Sequence, residues 1–241
     1  MTVDPEYEPL RAPEGAVEIT YESGARTLKA YATPVMGFVR KPALLFLHGG
    51  FSFGQGHWEL TRPFRRAGYV VLVPTLRGEN GQDGERSLFL DEVDDVLAAA
   101  AVLQGRVDVD PRRVFVAGHS VGGTLAMLAA LASPKFRAAA SFSGSPDQVV
   151  YTRGRPERIP FDPRNLEEFR IRSPVAFATF FQCPTRLYFG DEEFWLQPST
   201  IRAARLARDA GLDVEAVEIP GGHDSALPEE IRRCLDFFRE Q

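Results

Sequence analysis

The chain has 241 residues, 44% of them hydrophobic, and a formal net charge of −5. That is enough to bury a full core, and the acidic balance gives no electrostatic reason to bind nucleic acid. No apolar run approaches the ~18 residues of a membrane span, and Met1 to Leu10 is acidic and proline-containing rather than basic then apolar, so neither a membrane segment nor an export leader is expected.

Taken in chain order, Val17 to Tyr21 and Thr27 to Thr33 read as the two strands of a hairpin around Glu22-Ser23-Gly24-Ala25. Short apolar runs then recur at Ala43 to Leu47, Tyr69 to Val73, Val114 to Ala117, Ala138 to Phe142, Arg186 to Phe189 and Val214 to Ile219, separated by helix-length segments. The alternation predicts an α/β chain, a single domain over residues 1–241, with a mostly parallel eight-stranded sheet and helices on both faces. Ser87 to Gln104 carries Leu90, Val93, Val96, Leu97, Ala100 and Leu103 at helical spacing, with Asp91, Glu92, Asp94 and Asp95 expected in a solvated first turn rather than on a metal. Cys183 and Cys234 are too few for a disulfide framework and are expected to be reduced thiols of a cytoplasmic protein, with a bridge between them left open. Residues 145–180 interrupt the pattern with a long connection that reads as a lid or cap segment. Its Arg153, Arg155, Arg158, Arg164, Arg170 and Arg172 are interleaved with Asp162, Glu167 and Glu168, as on a solvated surface.

The informative motif is Gly118-His119-Ser120-Val121-Gly122-Gly123, which follows the strand-like Arg113 to Ala117 and precedes the helix-like Thr124 to Ala132. A strand, a sharp turn carrying a serine between two small residues, and a helix make a nucleophile elbow. A base and an acid follow in the matching order: Gly221-Gly222-His223 after the last strand, and Gly190-Asp191-Glu192-Glu193 after the strand before it. Acyl transfer at Ser120 with His223 as base also needs oxyanion donors. The Val121 amide and that of Gly50 or Phe51, in His48-Gly49-Gly50-Phe51, are the candidates. His48 and His119 are expected to brace their loops, and His57 to line the pocket. No His or Cys pair has metal-ligand spacing, and no cofactor is expected.

These residues, together with Arg77-Gly78-Glu79-Asn80-Gly81, Ser173-Pro174 and Cys183-Pro184, give the chain from about residue 40 onward a resemblance to the α/β-hydrolases. It most resembles the catalytic domain of the prolyl oligopeptidase family of serine peptidases. The resemblance implies the α/β-hydrolase fold and a serine hydrolase. The family acid lies three residues after the glycine ending its strand, which here is Glu193, with Asp191 as alternate and Glu192 third. Larger members carry a β-propeller, for which this chain has no room, so an esterase or small-amide hydrolase is as compatible as a peptidase. A small ester or short peptide is therefore the expected partner. Aromatic residues gather near the expected mouth. Phe53, Trp58, Phe194 and Trp195 are named as substrate-binding candidates, beside Phe51, Phe177, Phe180 and Phe181, about half of the group being expected in the core. Two other classes are weighed. A non-catalytic binding member of the fold should lack a triad residue, and a dinucleotide-binding protein should carry G-x-G-x-x-G after its first parallel strand; neither pattern occurs.

Overall fold

The computed structural model describes residues 11–241, so the reading of Met1 to Leu10 lies outside the described residues. Strands β1 (Val17–Ser23) and β2 (Arg26–Ala32) form the antiparallel hairpin, with Gly24 at φ 58° in its turn. There follow β3 (Lys41–Leu47), α1 (Gln55–Leu60), α2 (Arg62–Arg66), β4 (Val70–Pro74), α3 (Glu92–Gln104), β5 (Val109–His119) and α4 (Val121–Ala132). The second half comprises β6 (Ala139–Phe142), α5 (Gln148–Thr152), α6 (Leu166–Ile171), β7 (Thr185–Gly190), α7 (Gln197–Asp209), β8 (Val214–Ile219) and α8 (Leu227–Arg239). The eight strands lie in the order β1-β2-β4-β3-β5-β6-β7-β8, parallel from β4 to β8 and antiparallel at β1 and β2.

The two-residue period of the strands sorts their side chains into two cores. On β3 and β5, Leu45, Leu47, Val114 and Val116 enter one core with Val96, Leu103, Leu125 and Ala204 of α3, α4 and α7. Leu44, Phe46, Phe115 and Ala117 enter the other with Trp58, Phe64, Ile231 and Phe238 of α1, α2 and α8. With both faces covered, central strands read as continuous apolar runs rather than as alternation. The chain leaves adjacent β3 and β5 toward opposite faces, and such a switch point opens a crevice beyond the carboxyl ends of the strands, where ligands bind in open α/β sheets.

Two details differ from the sequence expectation. Of the four carboxylates at the start of α3, Glu92 and Asp95 are buried. Asp95 accepts from the Arg77 guanidinium at 2.7 and 2.9 Å and from Ser23 Oγ at 2.5 Å, riveting α3 to the loop after β4 and to the hairpin. Glu92 accepts from the Ser87 and Leu90 amides. The helix therefore begins at Glu92 rather than Ser87 because its first carboxylate caps the preceding turn. In the long connection, Arg164 and Arg170 are exposed and paired with Asp162 and Glu167. Arg172 is buried, donating to the Ser87 and Glu168 carbonyls, so it is not part of the solvated surface. The connection is pinched at its base. Val175 N donates to Pro146 O, and Gln148 N to Ser173 Oγ, both at 2.9 Å. Residues 149–172 thus leave and return through one neck.

Candidate active site

Ser120 follows the last residue of β5 and caps α4 with φ 55° and ψ −115°. A left-handed serine is strained, by about 1–3 kcal/mol, and is retained because its surroundings allow nothing else. A Cβ on Gly118 would strike the Gly122 carbonyl, and one on Gly122 would strike Leu47 O. Only glycines let β5, α4 and the end of β3 meet so closely. The Ser120 amide donates to Phe142 O at 2.8 Å, tying the turn to β6. Val121 is the first residue of α4, and the first intrahelical bond is Thr124 N to Ser120 O. The Val121 amide therefore has no helical acceptor and sits at the positive end of the helix dipole.

His223 lies in the loop after β8, and its Nδ1 donates to Glu193 Oε1 at 2.7 Å. The other Glu193 oxygen, Oε2, accepts from Ser143 Oγ at 2.5 Å and from the Gly190 amide at 2.8 Å. Burial alone would raise the Glu193 pKa; the hydrogen bonds from His223, Ser143 and Gly190 outweigh it and hold the carboxyl below its usual range. The Glu193 hydrogen bond raises the His223 pKa above that of a free imidazole, against a smaller opposing effect of burial. His119 Nε2 donates to the His223 carbonyl at 3.1 Å, linking the loop after β8 to the residue before Ser120. Ser120, His119, His223, Gly49, Gly50 and Phe51 line one cleft of about 660 Å³, together with His57, Leu60, Asp224 and Leu227.

The loop after β3 is braced from below. His48 Nδ1 contacts Gly49 O and Nε2 contacts Glu79 Oε2, both at 3.0 Å. Both partners are acceptors, an arrangement that favours the protonated ring. Burial pushes its pKa down, yet Glu79 outweighs this and the net shift is upward. Asn80 adds a second brace, accepting from Phe53 N at 2.7 Å and donating to Phe53 O at 3.1 Å. Gly50, at φ 71°, turns the braced loop along the cleft. His57 faces the cleft as expected; burial lowers its pKa to about 3, so it is neutral there.

The sequence model of the alpha/beta hydrolase family matches residues 44–233. The chain belongs to this family. A curated relative, an uncharacterized peptidase, YtmA, of Bacillus subtilis (strain 168), is 25% identical over 182 residues, covering 66% of this chain and 68% of that protein. Among solved structures, a puromycin-hydrolyzing peptidase of Mycobacterium tuberculosis is similar at a TM-score of 0.80 and 20% identity, over 94% of this chain and 40% of the peptidase. An acylaminoacyl peptidase of Pyrococcus horikoshii matches at 0.78 and 20% identity, over 95% of this chain and 42% of its own length. A hyperthermophilic esterase from the archaeon Pyrobaculum calidifontis matches at 0.72 and 18%, over 95% and 86%. This chain therefore spans less than half of the two peptidase structures, and these likenesses establish the fold.

Within this alpha/beta hydrolase, the aromatic candidates separate by position. Phe51 lines the cleft, its ring 4.5 Å from the Arg86 guanidinium and 5.7 Å from that of Arg158. Phe53 and Trp58 do not line it. Phe53 is buried and stacked on Tyr31, and Trp58 is buried with its Nε1 donating to Glu14 O, because the turn into α1 directs both rings toward the sheet. Phe194 and Trp195 are exposed and lie outside the cleft wall, Phe177 and Phe180 line a separate depression near α3, and Phe181 is in the core. Asp191 is exposed and its Oδ1 accepts from the Gly221 amide at 2.8 Å, bracing the histidine loop. Sequence reasoning missed Ser143 and Leu227. Ser143 carries the rare φ of 51°, but nothing in the sequence around it signals contact with an acid fifty residues later.

Proposed function

We propose that this chain is a serine hydrolase that cleaves a small carboxylic ester or peptide-like amide through an acyl-enzyme. The observation that carries the reading is the 2.7 Å bond between His223 Nδ1 and Glu193, on a cleft shared with a serine held in the elbow conformation. In this reading His223 Nε2 takes the Ser120 proton as Oγ attacks the carbonyl, and the imidazolium is stabilised by ionised Glu193. The amides of Val121 and of Gly50 or Phe51 receive the oxyanion. His223 then returns the proton to the leaving group, and water repeats the cycle on the acyl-enzyme. A cleft of this volume is within the usual range for small-molecule sites, and apolar Phe51, Leu60 and Leu227 favour an apolar acyl group. The segment 145–180 would act as its lid. Peptide bonds are the second substrate class, favoured by the naming of the Bacillus relative as a peptidase.

The test is covalent labelling followed by turnover. A fluorophosphonate should modify the wild type and leave Ser120→Ala unmodified; equal labelling removes the assignment. A panel of p-nitrophenyl esters of rising acyl length beside aminoacyl and prolyl anilides then separates the classes. Rapid ester turnover with little anilide cleavage supports the esterase, and comparable kcat/KM on anilides supports the peptidase.

A further inference from the structure

Behind the triad acid lies a second carboxyl that the reaction above does not use. Glu230, in the first turn of α8, is fully buried. Its Oε1 is 3.3 Å from Ser143 Oγ, and its Oε2 has no hydrogen-bond partner. Ser143 has one proton, and the 2.5 Å contact with ionised Glu193 commits it to Oε2 of that residue. The remaining contact with Glu230 can be bonded only if Glu230 supplies the proton. The Ser143 backbone is held at φ 51°, a strain of about 1–3 kcal/mol that keeps its hydroxyl between the two acids.

We propose that Glu230 is a positioning residue, a neutral acid that donates to Ser143 so that Ser143 stays on Glu193 Oε2 and Glu193 Oε1 stays on His223. The proposal rests on the triad reading above. Burial raises the Glu230 pKa to about 8, the charge on Glu193 adding to the effect. The other titratable group coupled to it is the buried Cys234 thiol, one turn along α8, whose own pKa is pushed well up by burial and then by Glu230. Above pH 8 Glu230 becomes an acceptor, two carboxylates compete for one hydroxyl proton, and the grip on Glu193 loosens.

The rate of fluorophosphonate labelling of Ser120, followed from pH 5 to 10, needs no knowledge of the substrate. The wild type should lose kinact above about pH 8 while KI stays constant. Glu230→Gln, whose amide donates at every pH, should keep the neutral rate and lack the alkaline fall. Ser143→Ala, which removes a hydrogen bond to a charged group, should lower kinact by about 10- to 100-fold. Folding is checked on the same Gln variant: Glu230 is harder to ionise folded than unfolded, so its contribution to stability is lost as pH rises from the usual carboxyl range through 8. The melting temperature of Glu230→Gln should therefore gain on the wild type over that interval. An alkaline limb identical in wild type and Glu230→Gln, or none in either, overturns the proposal while leaving the triad intact. Absence of labelling in the wild type overturns the triad reading itself.

Discussion

Asp191 and Glu193 are two residues apart on one turn, yet they do different work. Glu193 is nearly sealed from water and bonded to His223, whereas Asp191 is exposed and bonded to a backbone amide. Glu193→Ala should therefore lower kcat by orders of magnitude, about 10⁴ by analogy with other triad acids, and Asp191→Ala by less than about tenfold. Steady-state kinetics on the two folded variants decides between them, and the reverse order of losses would reassign the acid. The same bond sets the pH response. Because Glu193 raises the His223 pKa, the neutral base forms only above the pH range of a free imidazole, so kcat/KM should rise through a midpoint above about 6.5. The imidazolium–carboxylate pair acts oppositely on folding. The part of its stabilisation linked to His223 is complete below the unfolded histidine pKa and fades as pH rises through the raised folded value, while the part linked to Glu193, whose pKa is lowered, is lost as pH falls through the acid range. As pH rises through the raised His223 pKa, activity should thus increase while the stability contributed by this histidine decreases. Ser120, His223 and Glu193 were legible in the sequence because each stands at a fixed distance from a glycine that ends or follows a strand. Ser143 and Glu230 were not, because β6, the β7 turn and α8 come together only through the order of the sheet.

Among the helices, α3 shows how a polar face can mislead. Asp95 reads as one of four solvated carboxylates at a helix start, and only the arrival of Arg77 from the loop after β4 turns it inward. Asp95→Ala leaves the guanidinium with only the longer 3.3 Å contact to the exposed Asp91 and should destabilise the fold by about 3 kcal/mol, measurable as a lower urea midpoint. Asp94→Ala, removing a carboxylate outside this ion pair on the same turn, is the control and should shift it little. A similar lesson applies to α1. Its aromatic neighbours Phe53 and Trp58 lie close in sequence to the oxyanion loop, but the short helix rotates them into the core beneath it. Proximity along the chain reports the loop correctly and the direction of its side chains poorly. The strands were more legible than the helices, since their apolar runs are set by burial on both faces, while a helix edge depends on which carboxylate or glycine caps it.

At the scale of the molecule, the two cysteines are free and both are shielded. Cys234 is fully buried and Cys183 partly so, with burial pushing the Cys183 thiol up to about 11. Neither should react with a disulfide reagent in the native state on the timescale of minutes, and both should titrate on unfolding; rapid native reaction of Cys234 would mean that α8 opens readily. Every candidate catalytic group stands on a connection leaving the same end of the sheet, after β3, β5, β7 or β8. The neck formed by Pro146–Val175 and Gln148–Ser173 sets residues 149–172 apart from these connections. Closing a flexible loop on such a neck costs only about 0.6 kcal/mol more for each doubling of its length. Within that excursion Tyr151, Thr152, Phe169 and Arg172 are buried, so an insertion or a deletion costs least in its exposed turns, residues 153–157 and 162–167. A lineage could therefore vary those exposed turns while the connections after β3, β5, β7 and β8, which carry the candidate site, stay as they are.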